Sequence, residues 1–321
     1  MSDTLDYKQL IKRFPWIVTR GQDCIVSPDV DGLLCGLFMA HYLGWRIRGF
    51  YDAKVLVKHR GINARDCIFL DVEIFRKGTR SVGQHMLMYD IRDVPRNWED
   101  FSECISANNL RNHDFKHNFK QKYPLATIHL LLAILGSVRR TTVPTRAVSV
   151  LLYADGTFKN LFNYPENCLS WLQFLSGTDK ANPLRYLFHS VRYPLTQLMG
   201  LLSDLFKDFR AINAGRRGGD KIKISNTRGE VVNFDARRKT LDSVTLEKAN
   251  ALLNLLAHRT GWIYKPGQWA WSDLEAIRFQ KAAIRPSRRR YEEFIKKRPL
   301  SFAITSSLAL EYTLDPKRKF I

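Results

Sequence analysis

The residues best suited to chemistry are aspartates that follow short apolar runs. In Ile25-Val26-Ser27-Pro28-Asp29-Val30-Asp31-Gly32 an apolar stretch runs straight into two carboxylates and a glycine. In fully extended backbone Asp29 and Asp31 would point to opposite faces, but a turn lets both approach one cation. Hard oxygen ligands of this kind suit Mg²⁺ or Mn²⁺. A calcium loop fits poorly, because no acidic residue lies about nine positions beyond Asp31, where an EF-hand closes. Leu70-Asp71 ends a second apolar run, and Tyr153-Ala154-Asp155-Gly156 ends a third. Four carboxylates from three strand ends carry too much like charge to assemble without a cation, so a divalent metal or a pair of them is expected.

Such residues need a scaffold that brings strand ends together. The first half of the chain alternates short apolar runs with helix-like segments, the pattern of βαβ units. Cys24-Ile25-Val26, Val55-Leu56-Val57, Cys67-Ile68-Phe69-Leu70, Met86-Leu87-Met88-Tyr89 and Val148 to Tyr153 are the expected strands. In an open α/β sheet, ligands bind beyond the carboxyl ends of the strands. Leu33, Leu34, Leu37, Phe38 and Tyr42 recur at helical spacing, with Gly44 placed to cap the end. Further helices are expected over about Thr127 to Ser137 and Tyr193 to Phe209, with Ala211 to Gly219 as linker or loop. The predicted fold is α/β. Residues 1–190 form a doubly wound, parallel-sheet metal-binding domain, 191–220 a connecting helix and Gly/Arg-rich loop, and 221–321 a smaller basic α+β domain.

The constellation resembles the DHH phosphoesterase superfamily, which includes RecJ-type exonucleases, oligoribonucleases, cyclic-dinucleotide phosphodiesterases and family II pyrophosphatases. Ser27-Pro28-Asp29-Val30-Asp31-Gly32-Leu33-Leu34-Cys35 is similar to the first motif, Asp71 in Phe69-Leu70-Asp71-Val72-Glu73 to the second, and Asp155 in Leu152-Tyr153-Ala154-Asp155-Gly156-Thr157 to the fourth. Lys122-Tyr123-Pro124-Leu125-Ala126-Thr127 resembles the segment that introduces the helix before the last strand. The similarity spans about residues 20 to 175. The eponymous Asp-His-His is absent: after the corresponding run stands Asp90-Ile91-Arg92, and His85 is the nearest histidine. The resemblance implies Asp71 bridging two Mn²⁺ or Mg²⁺ ions about 3.5–4 Å apart. Asp29 would hold one ion and Asp31 with Asp155 the other, with His85 or Asp90 completing a shell. It implies hydrolysis of phosphodiesters by metal-activated water. Eroded motifs also occur in non-catalytic nucleic-acid-binding or scaffold subunits of such lineages, which is the alternative; a small-molecule (oligonucleotide or cyclic dinucleotide) phosphodiesterase is a second.

Charge separates these readings. The 321 residues carry 51 Lys and Arg against 31 Asp and Glu, for a net charge of +20. Attraction to a polyanion follows, with nucleic acid the leading partner; a small-molecule hydrolase leaves the charge unexplained. Residues 1–160 hold 23 basic and 16 acidic side chains and residues 161–321 hold 28 and 15, so the excess lies mainly in the second half. Arg216 and Arg217 in a Gly-rich run, and Arg288, Arg289 and Arg290, are the expected phosphate contacts, with Trp262, Tyr264, Trp269, Trp271 and Tyr291 as stacking surfaces for a single strand or as core. His113 or Lys116, in Asn112-His113-Asp114-Phe115-Lys116-His117, would touch phosphate from a loop beside the site. The five cysteines are odd in number and form no C-x-x-C pair, which argues against a disulfide framework and a cysteine zinc site. No apolar stretch reaches the roughly 20 residues needed to span a bilayer, and the polar start is unlike a secretory signal, so a cytoplasmic protein without a membrane partner is expected.

Overall fold

Cys24, Ile25 and Val26 are apolar and fully buried, as a strand covered on both faces requires. In the computed structural model, which describes residues 4–189, 194–215 and 219–320, they form β1 (Asp23–Val26), in the middle of the main sheet. The other strands are β2 (Arg46–Tyr51), β3 (Val55–His59), β4 (Ile68–Leu70), β5 (Ser81–Gly83), β6 (Cys104–Ser106), β7 (Phe234–Asp235), β8 (Thr240–Leu241), β9 (Leu274–Arg278), β10 (Gln280–Ile284), β11 (Ser301–Ser306) and β12 (Ala309–Leu314). The main sheet has seven strands in the order β6-β5-β4-β1-β2-β3-β9. Pairing is parallel from β6 to β2 and antiparallel at β3 and β9. The protein is therefore α/β, with a mixed, mostly parallel central sheet.

The helices run α1 (Tyr7–Arg13), α2 (Val30–Leu43), α3 (Ala107–Leu110), α4 (Phe115–Asn118), α5 (Thr127–Gly136) and α6 (Val148–Tyr153), then α7 (Thr157–Asn163), α8 (Pro165–Phe174), α9 (Leu184–Phe188), α10 (Leu195–Ile212), α11 (Ser243–Thr260) and α12 (Arg288–Lys296). Helix α2 begins where the Asp29 carboxylate accepts from the Gly32 N–H and ends at Gly44 with φ 67°, where glycine adopts the left-handed conformation without penalty. Residues of α2, α5, α6, α10 and α11 share one core with Cys24 and Val26. The alternate residue Ile25 faces a smaller core with Tyr51, Leu56, Phe69, Leu300 and Phe320, to which none of those five helices contributes. Long helices thus cover one face of the sheet and not both, unlike the expected doubly wound arrangement.

Two expected strands have other structures. Val148 to Tyr153 is the helix α6, and Met86 to Tyr89 has only an isolated bridge from Met88 to Asp114. The strand of that region is β5, just upstream. The packing also does not divide at 191–220. Leu205 and Phe209 of α10 and the inner stripe of α11 are buried in the main core, and β9 extends the main sheet. Residues from Gln280 onward form the separate layer, a three-stranded antiparallel sheet β10-β12-β11 packed with α12 through Phe294, Phe302 and Tyr312. Among the described residues no helix is long and apolar enough to cross a membrane.

Candidate metal centre

Parallel pairing of β1, β4 and β5 places their carboxyl ends side by side. Asp29 and Asp31 follow β1, Asp71 follows β4, and Gln84-His85 follow β5. Of these, Asp29, Asp71 and His85, together with Asp155 at its turn, line a cleft of about 310 Å³ whose other wall is formed by β11 and β12, while Asp31 is buried and does not line it. Asp71, His85 and Asp155 bring one ligand atom each to within 4.8 Å of one another.

Each carboxylate is held in place. The buried Asp71 receives hydrogen bonds from Ser27 Oγ at 2.6 Å and Thr127 Oγ1 at 2.7 Å, and His85 Nε2 lies 3.3 Å away. Asp31 accepts the backbone N–H groups of Thr127 at 2.7 Å and Ile128 at 3.0 Å, where the positive end of the α5 dipole also favours a negative charge. Asp29 Oδ1 lies 2.8 Å from the same Ser27 Oγ, whose one proton is shared between Asp29 and Asp71, and Asp155 accepts from Gln84 Nε2. Glu73, which motif reasoning passed over, is buried and accepts the backbone N–H groups of His85 at 3.0 Å and Met86 at 3.1 Å. Gly83 makes this possible, since a Cβ there would sit 2.7 Å from the Glu73 carboxyl carbon. Gly32 answers the same need beside β1, where a Cβ would meet Ser27 Oγ at 2.2 Å. Asp71 and Asp155 both occupy the left-handed region, with φ 61° and 48°.

The electrostatics are those of crowded like charges. Burial, then the charge of Asp71, pushes Asp29 up to about 6 and Asp31 well above the carboxylate range. Enclosure, then Asp71, pushes Asp155 up to about 8 although that residue is open to the cleft. Burial works to raise Asp71 as well, but the hydrogen bond and charge of His85 outweigh it and hold Asp71 below its usual value. Burial disfavours a charged His85, yet Asp71, then Asp155 and Glu73, raise it to about 10. Four carboxylates and an imidazole, three of the carboxylates displaced upward by burial first and by repulsion from Asp71 second, are a donor set that a hard divalent cation fits.

Asp90 does not join this set. It pairs with Lys116 Nζ at 2.6 Å and groups with Asp114 and His117, so of the two candidates for the missing shell position only His85 faces the cleft. Lys116 is spent on that pair. His113 packs edge-on against Trp171 and bonds the Gln121 carbonyl, outside the cleft. Arg288 pairs with Asp93 and Glu292, Arg289 with Glu293, and Arg290 is exposed at the start of α12; none lines the cleft. Arg216 and Arg217 lie outside the described residues. Trp262, Trp269 and Tyr291 are buried core residues and offer no stacking surface. The cations at the cleft are instead Lys221, 4.0 Å from Asp29, and Lys281, paired with Glu311 at 2.5 Å. Comparison of the chain with family models, with curated proteins and with solved structures returns no match.

Proposed function

We propose that the protein is a metal-dependent phosphodiesterase that hydrolyses nucleic acid, with a single strand entering the cleft. The observation that carries this reading is the convergence of Asp29, Asp71, Asp155 and His85 on one cleft, with Asp31 buried beside Asp71, in a strongly basic chain. Their order along the sequence, and the places of Asp29, Asp31, Asp71 and His85 after neighbouring strands, support a DHH-like arrangement in which His85 stands in for the missing histidine motif.

Mn²⁺ or Mg²⁺, as one ion or two, would supply Lewis acidity, lowering the pKa of a bound water and neutralising phosphate charge. The protein's part is positioning. Ser27 and Thr127 fix Asp71 from two sides, the α5 amides fix Asp31, and Glu73 fixes the backbone of His85. Lys221 offers an ammonium group to a phosphate at the mouth, where Lys281 is already paired with Glu311. A cleft of about 310 Å³ suits a nucleotide-sized portion of one strand better than a duplex.

The test is incubation with labelled single- and double-stranded DNA and RNA in Mn²⁺. Asp71→Ala, and separately the pair Asp29→Ala with Asp31→Ala, should abolish cleavage of the single strand. Undiminished cleavage by Asp71→Ala would refute the assignment. Binding of oligonucleotide without cleavage by the wild type would favour the non-catalytic subunit.

A further inference from the structure

Arg65 precedes β4 and Asp71 follows it, so the neighbourhood of Arg65 lies toward the opposite end of that strand from the cleft. A pocket of about 460 Å³ opens there, and its lining includes Arg65, Arg76, Lys297, Arg298 and Arg318, with Asp315 as its only acidic residue. Sequence distance hid this cluster: its members come from the loop before β4, the loop before β5, the end of α12 and the tail after β12.

The five cations face two carboxylates, Asp315 in the lining and Asp100 beside Arg298, and so keep an excess of positive charge. Both Asp315 oxygens accept backbone N–H groups, from Lys319 and Phe320 at 2.9 Å each. Arg298 alone reaches a carboxylate, Asp100, at 2.7 Å. Arg76 is half-buried, and its Nη1 donates to the carbonyls of Phe75 at 2.7 Å and Pro299 at 2.6 Å, which fixes its plane without supplying a counter-charge. Arg65 reaches only the Lys77 carbonyl, at 3.4 Å. The side chains of Lys297 and Arg318 make no hydrogen bond or ion pair among the described residues and are exposed. Gathering five cations against two carboxylates around one concavity is unfavourable unless a further anion occupies it. Several guanidinium forks and one ammonium favour phosphate oxygens over a single carboxylate.

We propose that Arg65, Arg76, Lys297, Arg298 and Arg318 form a second anion site, separate from the carboxylate cleft, that binds two or more closely spaced phosphate groups. Such phosphates come either from a free polyphosphate or from the backbone of a nucleic-acid strand. The site needs no metal and does not depend on the reading of the cleft.

The probe is tripolyphosphate, titrated by calorimetry into the full chain in excess EDTA. Saturable binding is expected in the wild type and should persist in Asp71→Ala. Lys297→Glu with Arg318→Glu changes two exposed side chains that hold nothing else, and should weaken binding at least about tenfold, the effect of losing charge-assisted contacts. Lys8→Glu with Arg20→Glu makes the same change in net charge on exposed residues elsewhere and should leave binding intact. Displacement of tripolyphosphate by a short single-stranded oligonucleotide identifies the strand backbone as the source, and failure to displace it identifies free polyphosphate; either supports the site. Absence of saturable binding, loss in Asp71→Ala, or equal loss in the Lys8 and Arg20 pair would overturn it.

Discussion

Binding of a divalent metal to the cleft should release protons, and their number follows from the charges described above. At pH 7 a carboxyl raised to about 8 holds about 0.9 of a proton, one raised to about 6 holds about 0.1, and an imidazole raised to about 10 is fully protonated. Asp31, displaced well upward, can only add to this. Metal ligands must be deprotonated, so Mn²⁺ binding through the carboxylates alone releases at least about one proton, and binding that also engages His85 at least about two. The sign is fixed: raised groups hold protons that the metal must displace, so affinity falls as pH falls, by about tenfold per pH unit for each proton released. Calorimetry with Mn²⁺ at pH 7 in buffers of differing ionisation enthalpy counts them directly. His85→Gln should lower the count by about one. A binding enthalpy independent of buffer, or no Mn²⁺ binding at millimolar concentration, would refute the reasoning.

Other consequences are equally open to measurement. Glu73→Gln replaces one oxygen that accepts a backbone N–H with a donor, and the loosened His85 should reduce Mn²⁺ affinity about 10–100-fold. Gly32→Ala forces a Cβ to 2.3 Å from the Ser27 carbonyl oxygen, which cannot rotate away; urea unfolding should show a loss of about 3 kcal/mol, at the upper end of overpacking costs. His129 is fully buried and pulled down by burial to about 3 from 6.5, so the unfolded chain binds the extra proton and stability should fall as pH drops from about 6.5 toward 3. His129→Gln keeps an acceptor for the Ala126 N–H and should flatten that part of the pH profile of the urea midpoint.

How much of this was legible varied with the kind of signal. The strands at Cys24, Val55 and Ile68 and the helix from Thr127 stood out because each is an unbroken apolar run between polar ends. Each aspartate alone reads as a helix cap or turn residue, and the four stood out because all of them closely follow such runs. The sequence pattern puts His85 just before a strand, because Met86 to Met88 is the more apolar run. The structure gives the strand to Ser81-Val82-Gly83, where β4 and β6 supply partners on both sides, and the apolar run packs with the C-terminal layer through Met86 and Leu87. That shift of a few residues moves His85 from a strand's beginning to a strand's end, beside Asp71. Glu73, Ser27 and Thr127 act through hydrogen bonds that only tertiary contact creates, and no local pattern announces them. The same holds for the cluster around Arg65, assembled from four distant segments.

The segment before Asp155 shows why a wrong element can still deliver the right residue. Val148 to Leu152 is a continuous apolar run, and a run of that length fits a buried strand or a buried helix equally well by periodicity. Nothing in the run itself decides; the sheet does, because β1 already has β2 on one side and β4 on the other and leaves no opening for another central strand. The chain therefore coils and packs against α2 and α10 in the helix layer. The chain must still turn after this helix toward the carboxyl ends of the strands, and the turn is made by Asp155 and Gly156, with φ 48° and 64°. Glycine adopts that conformation freely and aspartate tolerates it better than most residues. Asp71, at φ 61°, makes the same kind of turn after β4. Two of the four carboxylates thus sit where backbone strain aims them, and the hydrogen bonds from Gln84, Ser27 and Thr127 hold them there against mutual repulsion. Ordinary helix caps require neither the strain nor the crowding, and so both features together weigh toward a cation site over four unrelated turn residues.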